Sequence, residues 1–171
     1  MFQASQPFRI SKLTFFIGLF IIISASFLRQ VMDFIKAVVG EGGFILLIGA
    51  AGTVFLVSFL ILIIGKRPSF LKFSIFIIAL ITGMWFCWQL KIPEEKIHLL
   101  EFAVLGWFAS RDLIKTNRKV KGIIFTLVFT LTVGVLDEVF QGILPYRYFQ
   151  WCDIGFNSAG GVWGIGLFLL R

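Results

Sequence analysis

The chain has 171 residues, a net charge of +7, an apolar content of 58% and a mean hydropathy of +0.96. Soluble domains are about 45–50% apolar and about 25% charged, whereas only 15% of this chain is charged, so a soluble enzyme does not fit. The basic residues lie at the ends of apolar segments and form no contiguous basic face of the kind that nucleic acid requires. We therefore predict an all-α, polytopic transmembrane helical bundle with no nucleic-acid partner.

Six apolar segments indicate about six transmembrane helices. A spanning helix needs about 20 apolar residues, with a range of about 17–25. The second, third and fifth segments meet this length clearly, and the sixth is shorter but nearly uninterrupted. The segments are residues 13–28, 43–65, 73–90, 97–113, 122–141 and 154–170.

The first segment has two interpretations. Arg9 and Lys12 precede it, and Ser24-Ala25-Ser26 is a small-x-small pattern typical of signal-peptide cleavage. The apolar run continues through Leu28, and no soluble domain follows, so a retained helix is favoured.

Residues 29–42 form a loop with a helical apolar pattern. Val31, Phe34, Ile35 and Val38 recur at helical spacing. This favours either an interfacial amphipathic helix or an ordinary loop helix with no lipid contact, and the pattern does not separate the two.

The fourth segment is short and begins with polar residues, so it could cross the membrane or re-enter it. Six crossings with cytoplasmic termini place 11 basic residues inside and 5 outside, as the positive-inside rule expects. A fourth segment that failed to cross would put five basic residues outside. We therefore predict six crossings with both termini inside.

This topology brings the unusual polar residues of three helices and one loop to a single depth near the outer surface. His98 with Glu101 and Glu138 with Gln141 are i,i+3 pairs, and Asp153 with Asn157 is an i,i+4 pair, so each pair shares a helical face. Arg147 lies in the intervening outer loop. Asp137 is turned about 100° from Glu138 and is assigned to a neighbouring helix or the interface.

These residue types suit acid–base chemistry on an anionic or glycan group. His98, Glu101 and Glu138 are the catalytic candidates, because an imidazole oriented by a carboxylate can transfer protons near neutral pH. The substrate-binding candidates are Gln141, Arg147, Asp153 and Asn157, since guanidinium grips phosphate or carboxylate and amides bond hydroxyls. The alternative is that the same groups only hold helices together.

A metal centre and a cofactor are not predicted. An imidazole with several carboxylates could bind a divalent cation, but the charge of Arg147 opposes one. The chain contains no P-loop, dinucleotide loop or nucleophilic serine elbow. Cys87 is assigned to the apolar interior, and no disulfide with Cys152 is expected.

Gly160 and Gly164 form a G-x-x-x-G pattern in the sixth segment. Small residues let helices approach closely. We predict that this seam packs against another helix of the same chain rather than against a second copy.

The ordered polar motifs resemble those of the VanZ-like family of bacterial membrane proteins. The first motif is Lys96-Ile97-His98 followed by Glu101; the second is Asp137-Glu138-x-x-Gln141, then Pro145-x-Arg147, then Asp153-x-x-x-Asn157-x-x-Gly160. The resemblance covers residues 70–171, so we divide the chain into an N-terminal extension with two transmembrane helices (1–69) and a VanZ-like membrane domain (70–171).

The resemblance implies a multi-pass protein of the bacterial cytoplasmic membrane and a link to glycopeptide resistance, because the name-giving member is linked to teicoplanin resistance. We predict an outer-leaflet site that binds or modifies a lipid-linked or glycan substrate, with membrane lipids and an anionic head group as partners. The alternatives are a non-catalytic protein acting by packing or partner interaction, and a small transporter, although no inverted repeat is evident.

Overall fold

The computed structural model describes residues 9–66, 68–116 and 119–170, and over these residues it contains six α-helices and no strands. The predicted all-α class is confirmed. The helices are α1 (Lys12–Ser24), α2 (Leu28–Ile64), α3 (Phe70–Gln89), α4 (Pro93–Thr116), α5 (Lys119–Ile143) and α6 (Trp151–Leu170).

Helix α2 is broken at Gly40, where φ is 72° and ψ is 169°. This backbone conformation is essentially restricted to glycine. The break lies within residues 29–42, for which an interfacial amphipathic helix and an ordinary loop helix were both predicted. It separates residues 28–39 from residues 41–64, which contain nearly all of the second predicted span (43–65). A continuous helix of 37 residues would be about 55 Å long and would exceed a hydrocarbon core of about 30 Å, whereas the part after the break is close to the length that a single span needs.

Helix α4 is the central helix of the bundle and packs against α5, α6, α1 and α3. Leu99, Phe102, Leu105 and Leu113 are each no more than 2% exposed. A helix that is surrounded by protein need not be apolar on every face, so α4 can carry polar residues. These polar residues are the reason why the sequence alone was compatible with either a crossing or a re-entrant fourth segment.

The glycine seam of α6 packs within the chain, as predicted. A Cβ atom at Gly160 would meet the Leu99 carbonyl oxygen, and one at Gly164 would meet that of Ala103. The glycines therefore allow the backbones of α4 and α6 to come into direct contact. This contact brings the first turns of α6 close to the first turns of α4.

Asp112 joins the start of α1 to the end of α4. Its Oδ2 atom accepts hydrogen bonds from the Ser11 backbone N–H at 2.9 Å and from the Thr14 hydroxyl at 2.6 Å. Its Oδ1 atom accepts one from Arg111 Nε at 3.0 Å. Because Ser11 also caps α1, this network fixes where α1 begins against the bundle.

Among the described residues, α2, α3 and α5 have the length and apolarity to cross a membrane, and α1 is apolar but shorter. Large apolar side chains such as Leu46, Ile61 and Trp85 are more than half exposed, as expected for surfaces that face lipid. These features support a membrane protein. Six crossings, the orientation of the termini and retention of the first helix remain predictions.

A buried polar cluster as candidate functional site

Polar side chains from α4, α5, α6 and the loop before α6 come together inside the bundle. We call this set the polar cluster. All of its members are buried except Glu101, which is partly exposed. Its members are His98 and Glu101 from α4, Asp137, Glu138 and Gln141 from α5, Arg147 from the loop, and Asp153 and Asn157 from α6.

The predicted pairing of Glu138 with Gln141 is present. The Gln141 amide nitrogen donates to Glu138 Oε1 at 2.9 Å and to Asp137 Oδ2 at 3.1 Å. The second oxygen of Glu138 accepts the backbone N–H of Gln150 at 3.1 Å. Glu138 is thus oriented from its own helix and from the loop that carries Arg147.

Asp137 belongs to the same cluster as Glu138 and faces a neighbouring helix, which is one of the two placements predicted for it. Its Oδ2 atom lies 3.7 Å from His98 Nδ1, and Glu101 Oε2 lies 3.9 Å from the same nitrogen. The 100° offset along α5 turns Asp137 toward α4, which is the neighbouring helix at this height. These distances are too long for a hydrogen bond. Proton transfer between the imidazole and either carboxylate would require the two groups to move closer by roughly 1 Å, or one water molecule to bridge them.

Arg147 is only 6% exposed. Its backbone N–H donates to the Leu144 carbonyl at 3.2 Å, which closes the turn around Pro145. The guanidinium is within electrostatic range of Asp137 and Glu138. Direct pairing of Arg147 with a carboxylate remains a prediction.

Several buried atoms of the polar cluster make no hydrogen bond with the described residues. They are Asp137 Oδ1, Glu101 Oε2, Arg147 Nε and both amide atoms of Asn157. Buried polar atoms are normally hydrogen-bonded to protein or water. These acceptors and donors can therefore still bind a polar ligand or water.

A cavity of about 70 Å³ adjoins the polar cluster. Its lining includes two residues that the sequence interpretation missed, Arg29 and Glu95. Glu95 precedes His98 by three residues, so the i,i+3 rule could have identified it. The full lining is Arg29, Ile92, Glu95, His98, Gln141, Arg147, Tyr148, Gln150 and Asp153.

Within the described part of the chain, His98, Asp137 and Glu138 are the residues that could hold a metal ion. Each offers one ligand atom, and the three atoms lie within 4.8 Å of one another. One nitrogen and two oxygen ligands suit a borderline or hard divalent cation. The charge of Arg147 opposes a further positive charge here, whereas the carboxylates of Glu101 and Asp153 in the same cluster would attract one.

A family model described as VanZ/LLP1 matches residues 2–171. The family similarity therefore extends beyond residues 70–171, over which the motifs were traced; the division of the chain at residue 69 remains a prediction. No curated protein and no solved structure gives a significant match.

Proposed function

The chain belongs to the VanZ/LLP1 family, and we propose that it is a multi-pass protein of the bacterial cytoplasmic membrane whose polar cluster binds an anionic, lipid-linked envelope precursor. The observation that carries this proposal is a buried Arg147 beside a small polar cavity lined by residues of four helices and two loops. Ionisable groups are costly at membrane depth and generally serve a function there.

The size and chemistry of the cavity support an anionic head group. About 70 Å³ accommodates a phosphate-sized group or a few water molecules rather than a whole glycan. A guanidinium presents a planar fork that matches phosphate or carboxylate. The sugar part of a precursor would therefore lie outside the cavity, within reach of the exposed Tyr148 at its rim.

The neighbouring acids and imidazole support a second step, modification of the bound group. His98 lies between two carboxylates, which is the arrangement of a general acid or base whose ring is oriented by its partners. Glu138 has both oxygens held and suits orientation of substrate or water. Such a reaction on a wall precursor would alter glycopeptide susceptibility.

A non-catalytic role has its own support. Gln141 and the Gln150 backbone together satisfy both oxygens of Glu138, and such bonds also serve to hold helices and loops in place. In this alternative the polar cluster shapes a surface for envelope-assembly partners.

Binding of a polyprenyl diphosphate-linked wall precursor to the purified protein in lipid nanodiscs tests the proposal. We expect binding by the wild type, at least about tenfold weaker binding by Arg147→Ala, and unchanged binding by Arg9→Ala, which removes the same charge from an exposed position. Equal binding by all three proteins would remove Arg147 as the anchor.

The variant Glu138→Gln separates the catalytic from the packing alternative. Catalysis predicts loss of glycopeptide protection in cells with normal amounts of folded protein. A packing role predicts a lower melting temperature and less folded protein, since one of the two N–H groups that now donate to Glu138 would then face an amide N–H.

A further inference from the structure

An apolar groove of about 390 Å³ lies between α2, α3 and α4. Its walls are almost entirely hydrocarbon and sulfur side chains, including Met32, Phe44, Met84 and Leu100, and its volume is that of a small-molecule site. Residues 49 and 52, which also line it, are glycines, so the groove wall is backbone at these two positions of α2. The polar cluster contributes no side chain to it.

The groove and the polar cavity adjoin each other at two points along the chain. Leu28 lines the groove and the next residue, Arg29, lines the cavity; similarly, Lys96 and Ile97 line the groove while Glu95 and His98 line the cavity. The first turns of α2 and α4 therefore present one face to the apolar groove and another face to the polar cavity. A ligand that fills both would be polar at one end and apolar along its length.

We propose that the groove holds the hydrocarbon chain of the lipid whose anionic head group occupies the polar cavity. This inference rests on the proposed function and adds to it a site for the lipid tail. The apolar walls exclude a polar peptide or a glycan as occupant, because their hydrogen-bonding groups would find no partners there.

The chemistry of the groove favours one flexible chain. Tails in the bilayer are already in hydrocarbon, so the groove gains affinity from close contact and not from removal of water. Met32 and Met84 line the walls, and methionine side chains adapt to irregular shapes. Lys96 lies at the rim, where its ammonium donates to the Trp88 carbonyl at 3.2 Å and sits over the Trp88 ring.

The test compares two phosphates with the same head group and different tails, a long-chain polyprenyl monophosphate and isopentenyl monophosphate. Gly49→Phe places a ring in the groove, since a Cβ there meets nothing within 4 Å. Gly42→Phe is the matched control, because position 42 is equally open on the same helix and lies outside the groove. Gly52→Val is a second filling variant, whose Cβ would meet only the flexible end of Met84.

Binding is measured by native mass spectrometry on detergent-solubilised protein, with melting temperatures recorded to confirm folding. We expect Gly49→Phe and Gly52→Val to weaken long-chain binding by at least about fivefold and to leave isopentenyl monophosphate binding unchanged. Gly42→Phe should match the wild type for both compounds.

Equal long-chain affinity of Gly49→Phe and Gly42→Phe in folded proteins would overturn the groove assignment while leaving the head-group site intact. Failure of the wild type to bind either compound would overturn both proposals. A long-chain affinity that responds to Gly49→Phe and not to Arg147→Ala would support the groove and overturn the head-group assignment.

Discussion

The contact between α4 and α6 provides a sharp test of the fold through two glycines of one helix. A Cβ atom at Gly164 would meet the Ala103 carbonyl, with its carbon at 2.8 Å, and the Trp107 backbone nitrogen at 2.9 Å, whereas a Cβ atom at Gly166 would meet nothing within 4 Å. Because the obstructing atoms at Gly164 are backbone, no rotamer change can relieve the clash. The two helices would have to separate by at least about 1 Å to restore ordinary van der Waals contact.

We expect Gly164→Ala to destabilise the protein by about 1–3 kcal/mol, the usual cost of overpacking. The gain in helix propensity, at most about 1 kcal/mol, applies equally to Gly166→Ala and is therefore removed by the comparison. For a chain of this size a loss of 1 kcal/mol lowers the melting temperature by roughly 2–4 °C. Size-exclusion chromatography after heating in detergent measures the difference, and identical melting temperatures for the two variants would refute the close contact.

Three further predictions concern other parts of the molecule. Asp112→Ala should lower stability by roughly 1–3 kcal/mol, because the Ser11 N–H and neighbouring donors lose their acceptor, while Asp33→Ala at an exposed position should have no effect in the same melting assay. Addition of Zn²⁺ or Mn²⁺ should leave the melting temperature of the wild type unchanged, because the charge of Arg147 opposes a cation; a concentration-dependent rise would contradict this. In a background without native cysteines, a membrane-impermeant thiol reagent should label Tyr148→Cys and not Lys119→Cys in intact cells, and the reverse labelling would contradict the predicted orientation.

The sequence predicted the existence and the type of the helices well, because uninterrupted apolar runs leave few alternatives. Helix ends were less accurate. The apolar pattern placed the start of the fourth helix at residue 97, but α4 begins at Pro93, and proline is compatible with the first helical turn. The apolar run of α2 likewise gave no sign that the helix before Gly40 and the helix after it are joined by a single non-helical residue.

The polar motifs predicted the candidate site more completely than they predicted its internal geometry. Glu138 and Gln141 pair as their spacing indicated, since both partners lie on one helix. The role of Asp137 depends on which helix lies beside α5. The presence of Arg29 in the cavity lining depends on where α2 begins. Both are tertiary facts, which the periodicity of a single helix does not contain.

Gly40 lies between two halves of α2 that both contribute to the apolar groove. Met32 lines the groove from before the break, and Phe44 and Leu56 line it from after the break. A residue with a Cβ at position 40 would oppose the φ of 72° and would change the angle between the halves. The length of the lipid chain that the groove accepts would then depend on the backbone torsion at position 40. The selectivity of the groove for chain length would change while every side chain in the groove wall stayed the same.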